Sequence, residues 1–161
     1  MEFLYKFPDV KIHLPPKEII TQSHRLDAAN IKYNYFYLAG ISGAGRGKIG
    51  AMGTAKVFNQ TNPQIIGSSM LTVYPESELF AEIQAGKWAE ETELEKLDEL
   101  KTLIENLDIP VYFATLGASN AIFVQGQLPK DKDELISNLK KICKTQSESK
   151  LRHYRTHLKH L

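Results

Sequence analysis

The sequence has one cysteine, Cys143, among its 161 residues. No intrachain disulfide can form, which fits a reducing compartment, and a cytoplasmic location is expected. Long apolar runs are missing as well. None approaches the ~20 residues that a membrane-spanning helix requires, so no membrane partner is expected. The opening stretch "MEFLYKFPDVKIHLPP" carries acids and prolines where a secretory leader would have an unbroken apolar core. Net charge is nearly absent too, at +1. The whole molecule therefore has no strong pull toward nucleic acid or acidic lipid. There is no internal repeat and no low-complexity segment. What remains is an ordinary soluble composition, 42% hydrophobic and 24% charged, on a chain long enough to bury a core of its own.

The near-zero net charge hides two opposed segments. Residues 89–108 hold eight acids against Lys96 and Lys101, a balance of −6, and residues 140–161 hold seven bases against Glu148, a balance of +6. Such runs serve as solvated helix faces or attract each other, within a chain or between chains.

Periodicity gives an alternating order of elements. "PPKEIITQSHRLDAAN" (15–30) reads as a helix with Pro16 in its first turn and Asn30 at a left-handed C-terminal position. "IKYNYFYLA" (31–39) reads as a buried aromatic strand. A glycine run follows, and then "GAMGTAKVFNQ" as a helix packed through small residues. "QIIGSSMLTVY" (64–74) is the next strand, and "ESELFAEIQAG" (76–86) a short helix. In "ETELEKLDELKTLIENL" (91–107) Leu94, Leu97, Leu100, Ile104 and Leu107 line one face, and Thr92 and Glu95 have capping-box spacing. "IPVYFATLG" (109–117) is a short strand. "ASNAIFVQGQLP" (118–129) reads as an extended loop or hairpin, residues 130–144 as a helix, and residues 148–161 as a basic terminal helix. This order implies an α/β fold with mainly parallel strands covered by helices. Ligands of such folds sit at the carboxyl ends of the strands. Those ends are Gly40–Gly47, Tyr74–Ser77 and Gly117–Asn120.

Six glycines fall between Gly40 and Gly53. "GRGKIG" (45–50) matches the dinucleotide pattern G-x-G-x-x-G, but five residues separate Gly40 from Gly45, and no acid ends the next strand to hold a ribose. "SGAGRGKI" departs from a P-loop at Ser42 and Ile49. A third reading is that backbone groups at the strand end contact the flat edge of an adenine ring, with glycines letting the ring come close.

Other constellations each have two readings. His153, His157 and His160 at i, i+4 and i+7 form either a zinc or nickel face or a solvated cationic helix end. The tail "KLRHYRTHLKHL" has Tyr154 for stacking but only four firm positive charges, so nucleic acid is not an expected partner. Arg46 would lie at the ligand end of the sheet, as a carboxylate partner or a plain surface residue. Ser119 and Asn120 are placed to hydrogen-bond a substrate or to close a turn.

In order along the chain, "YLAGISG", "LTVYPESEL" and "GASN…GQLPKDKD" resemble the C-terminal half of radical S-adenosylmethionine proteins of the coproporphyrinogen-oxidase-like branch. The likeness covers roughly residues 16–145. It implies a partial βα barrel in which a C-x-x-x-C-x-x-C loop ligates a 4Fe–4S cluster, and the cluster binds and cleaves S-adenosylmethionine. It also implies that Gly40, Ile41, Ser42 and Gly43 after the fifth strand, and Leu71, Thr72 and Tyr74 at the end of the sixth, lie around the adenine; Arg46, Ser119 and Asn120, read from their own places at the strand ends, are the candidate substrate contacts. The C-x-x-x-C-x-x-C motif is absent here, and cluster ligation needs several thiolates. The chain therefore reads as a truncated half barrel, retaining part of the S-adenosylmethionine pocket without the cluster ligands and inactive alone. The alternative is a non-catalytic α/β domain that dimerises or docks on a partner. Its expected organisation is an N-terminal strand segment (1–15), the half barrel (16–145) and a basic terminal helix (146–161). Half a barrel leaves strand edges unpaired, so a homodimer, the missing N-terminal half of the barrel, or the first 14 residues with the tail are expected to cover the gap.

Overall fold

The computed structural model describes residues 15–158. The expectations for an N-terminal strand segment and for residues covering the gap fall wholly or partly outside that range. Ten elements follow one another: α1 (Pro16–Ala28), β1 (Asn34–Ala39), α2 (Gly47–Phe58), β2 (Ile65–Met70), α3 (Glu78–Gln84), α4 (Glu93–Asn106), β3 (Tyr112–Thr115), β4 (Gln125–Gln127), α5 (Lys132–Thr145) and α6 (Glu148–Thr156). The fold is mixed α/β, as expected. One four-stranded open sheet runs in the order β1-β2-β3-β4, with β1, β2 and β3 parallel and β4 antiparallel to β3. The extended reading of residues 118–129 resolves as the return strand of a hairpin.

Alternation along the strands decides which face is covered. Tyr37 and Ala39 on β1, Ile66 and Met70 on β2, and Phe113 on β3 point into the core. α2 and α5 flank α4, which is the central helix of that layer. Leu97, Leu100, Leu103 and Ile104 of α4 are fully buried, and Leu135 and Leu139 of α5 pack beside them. α2 meets the core through Ala51 and Ala55, small residues that let two helices approach closely. α1 packs on α2, and its Ser23 hydroxyl bonds to the Tyr35 hydroxyl.

The register sets Phe36 of β1 opposite Gly67 of β2, and Gly67 opposite Ala114 of β3. These residues lie on the other face. There the described residues leave Phe36, 74% exposed, in solvent together with Leu38 and Leu116. Gly67 has no side chain because the Phe36 ring and the Leu116 side chain close over it, each about 3.1 Å from where a Cβ would stand. Parallel strands are ordinarily buried on both faces, so a sheet that the described residues cover on one face only is unusual.

The termini of the elements follow local chemistry. Thr92 and Glu95 form the expected capping box at the start of α4. Asn30 adopts φ 54° after α1, the left-handed position read from the sequence. Several elements are shorter than expected: β1 begins at Asn34 rather than 31, and β3 covers only Tyr112–Thr115 of 109–117. β2 stops at Met70 rather than reaching Tyr74, because the Leu71 carbonyl is taken by Arg155 at 2.8 Å instead of by a strand neighbour. α6 stops at Thr156, where the Thr156 hydroxyl turns back onto the carbonyls of Arg152 and His153.

Candidate functional site at the carboxyl ends of the strands

The three strand-end segments expected to hold ligand, Gly40–Gly47, Tyr74–Ser77 and Gly117–Asn120, all lie beyond the carboxyl ends of adjacent parallel strands. What fills the space around them on the helix side comes from α4, α6 and the segment before α4.

The glycine run is held by carboxyl groups spaced four apart. Glu99 accepts from the Gly40 N–H at 2.7 Å and from the Tyr37 hydroxyl. Glu95 accepts from the Gly45 N–H at 3.1 Å, while its other oxygen takes the Thr92 N–H. Glu91 lies against Gly47, where a Cβ would collide with its carboxyl group. Backbone amides that a phosphate would require are thus directed at the protein's own acids. Gly50 is likewise packed against the Ser42 hydroxyl. Two of the G-x-G-x-x-G glycines, Gly47 and Gly50, therefore serve close packing of α2, Gly45 takes φ 74° in open space, and among the described residues the sheet has no reversal of strand order to form a dinucleotide crevice.

Two acids of this group face each other. Glu91 is 1% exposed, and neither of its carboxyl oxygens meets a donor. Burial, then the hydrogen bond and charge of Glu99, push the Glu91 carboxyl up from 4.5 to about 8. Two buried carboxyls sharing a site hold one proton between them. The Tyr37 hydroxyl and the Gly40 N–H both donate to Glu99, which leaves Glu91 as the carboxyl without a donor.

Gly40 and Gly43 both have positive φ, 93° and 78°. A Cβ on Gly40 would stand 2.8 Å from Lys96 Cε, and one on Gly43 would stand 2.7 Å from the Trp88 indole nitrogen. Lys96 is fully buried. Its ammonium lies 2.7 Å from Glu90 and 3.4 Å from Glu93. From α6, Arg155 reaches Glu93 at 3.1 Å and donates to the carbonyls of Leu71 and Ser119. Arg152 lies 3.0 Å from Glu90 and 3.3 Å from Glu93. Glu148 accepts from the Glu93 and Leu94 N–H groups at the start of α4. Burial alone would raise the Glu90 carboxyl, but Lys96 and Arg152 together hold it below its ordinary value. The acidic and basic segments meet within one chain, the attractive alternative of the two read from the sequence.

The expected adenine residues are placed as follows. Gly40, Ser42 and Gly43 are buried and Ile41 half-buried. The Leu71 carbonyl is taken by Arg155. The Thr72 hydroxyl is buried with no partner, and Tyr74 is exposed. Arg46 is exposed at the start of α2. Ser119 and Asn120 close the turn after β3, where Asn120 Nδ2 donates to the carbonyls of Ser68 and Gly117. His153 and His157 of the expected histidine face lie together, their ring centroids 4.1 Å apart. His157 ends α6 with Nδ1 on the His153 carbonyl, and His160 lies outside the described residues. Among the described residues no cluster of His, Cys, Asp or Glu is placed to hold a metal ion, and no helix is long and apolar enough to cross a membrane.

Sequence reasoning did not single out Glu91, Glu99, Lys96, Trp88 or Arg155 individually. The usable signals were the four-residue spacing of Glu91, Glu95 and Glu99 and the opposed charge runs. No family model, curated protein or solved structure matches the chain.

Proposed function

We propose that this chain is the C-terminal portion of a radical S-adenosylmethionine-like βα barrel and that it supplies a wall of the nucleoside pocket, without the cluster. The observation that carries the reading is that the described residues cover the sheet on one side. Its three parallel strands are consecutive in space as in sequence, helices cover one face, and Phe36, Leu38 and Leu116 stand exposed on the other. A barrel buries that second face inside. Cys143, half-buried on α5, is the sole thiol, so this chain's residues do not fit a 4Fe–4S cluster and no radical step is assigned to it.

The adenine contacts narrow on this reading. Gly40 N–H and Leu71 C=O are engaged within the protein, by Glu99 and by Arg155. Thr72 is left as the free polar group and Tyr74 as the stacking surface. Titration of the chain with S-adenosylmethionine, followed by calorimetry, tests this. Saturable binding with a Kd of about 1 mM, weakened roughly fivefold by Thr72→Val and more by Tyr74→Ala, is the expected result. Binding that neither substitution changes, or no binding at all, removes the reading.

A second reading, a dimerising or partner-docking domain without a nucleoside pocket, is favoured by the edge position of β1 beside the exposed Phe36. It predicts a dimer by light scattering that Phe36→Lys dissociates. A monomer with no S-adenosylmethionine affinity would leave neither standing.

A further inference from the structure

A cavity of about 290 Å³ opens beside the turn after β3, between residues 115–123 and α6. Its rim carries three large side chains that face solvent, Leu116 (52% exposed), Phe123 (68%) and Tyr154 (54%). Isolated exposed apolar residues need no explanation, but three converging on one cavity with a fixed polar group do. The polar group is Asn120, 9% exposed. Its Nδ2 donates to two carbonyls, Ser68 at 3.0 Å and Gly117 at 2.8 Å. Two acceptors on one side of the amide fix which atom is nitrogen, so the other is the carbonyl oxygen. That Oδ1 has no partner and is closed to solvent beside the cavity, so a donor reaches it only where the cavity wall yields. A buried acceptor without a donor costs free energy that a bound donor would recover. The rim is also anchored. Arg155 of α6 donates to the Ser119 carbonyl at 3.2 Å, which pins Tyr154's helix to the opposite wall.

We infer that this cavity is a binding site for a small, uncharged, planar ring compound bearing an N–H or O–H donor, held between Phe123 and Tyr154 with its donor on Asn120 Oδ1. Among the described residues the lining has no Asp, Glu, Lys or Arg, so none of them compensates a ligand charge. The volume fits one bicyclic ring, and aromatic walls with one placed polar group are the ordinary make-up of such sites. The inference is independent of the nucleoside reading, which rests on Thr72 and Tyr74 rather than on this cavity.

Indole, a planar bicycle with one N–H, is the probe, and 1-methylindole, which lacks that proton, is its control. Nitrogen–proton correlation spectra of the labelled chain read the Asn120 side-chain amide and the backbone of residues 115–123. The expected result is saturable indole shifts confined to that region with a Kd of about 1 mM, and at least roughly fivefold weaker binding of 1-methylindole. Phe123→Ala and Tyr154→Ala, both at exposed positions that leave the core intact, should each weaken indole about fivefold. No saturable shift up to about 10 mM indole, equal affinity for the two probes, or unchanged affinity in both variants would overturn the assignment. S-adenosylmethionine affinity that persists in Phe123→Ala while indole affinity falls would separate this site from the nucleoside pocket.

Discussion

Replacing Glu91 with Gln should stabilise the protein at alkaline pH and leave it unchanged near pH 4.5. The wild-type carboxyl is buried against Glu99, and its pKa stands at about 8 in place of 4.5. An acid with a raised folded-state pKa keeps a proton that the unfolded chain has already released. Below pH 4.5 both states hold the proton, and the group contributes nothing to the difference. As pH rises from 4.5 to 8 the unfolded state gains the advantage of ionising, and the folded state weakens steadily. At about 1.4 kcal/mol per unit over that window, the loss is on the order of 5 kcal/mol, a large share of a typical domain's stability. Gln keeps the shape, carries no charge at any pH, and can donate its amide to the Glu99 carboxylate. Urea unfolding, followed by the fluorescence of Trp88, the only tryptophan, gives stability across the window. The two proteins should coincide at the acid end and diverge by several kcal/mol at about pH 8.5, with Glu91→Gln the more stable. Parallel curves would mean that the pair does not share a proton, and the account of the glycine loop would fail with it.

Two further outcomes follow from the same region. Lys96→Met removes one cation from a buried cluster while leaving Glu90 and Glu93 in place. It should cost about 3 kcal/mol by urea unfolding, and a loss under about 1 kcal/mol would show that Arg152 and Arg155 suffice. Gly43→Ala forces a Cβ to within 2.7 Å of the Trp88 nitrogen at φ 78°, so it should lower stability by about 2 kcal/mol and shift Trp88 emission. Unchanged emission would place the loop elsewhere.

How much of this was legible beforehand depends on the range of the interaction. The capping box of Thr92 and Glu95, the left-handed Asn30 and the small-residue face of α2 are decided within a few residues, and the sequence shows each of them. The hairpin after β3 was half-visible, because residues 118–129 have extended character but lack a tight-turn signature. The length of β2 was not visible. Thr72, Val73 and Tyr74 have strand propensity, yet Arg155, 84 residues away from Leu71, claims the carbonyl at the strand end. The glycine run shows the same limit. Its density announces a close approach of backbone to something, but a phosphate, an adenine and an internal carboxyl all ask for glycine. Only the packing of α4 shows that Glu91, Glu95 and Glu99 stand there.

The charge balance of the cluster bears on where a ligand can enter. Lys96, Arg152 and Arg155 meet Glu90, Glu93 and Glu148, so three cations face three anions and the group is neutral as a whole. Neutrality lets it be buried, and its hydrogen bonds reach the end of β2 at Leu71 and the turn after β3 at Ser119. It therefore acts as a plug on the helix side of the strand ends, with Trp88 and the Glu91–Glu99 pair completing the seal over the glycine loop. A ligand at these strand ends cannot come from that side without breaking buried ion pairs, at a cost of several kcal/mol. It must come over the other face, where Phe36, Leu38 and Leu116 lie open, or through the cavity beside Asn120. The plug and the open face are two consequences of one arrangement: α4 and α6 commit their charges to each other behind the sheet, and among the described residues Phe36, Leu38 and Leu116 are left exposed in front of it.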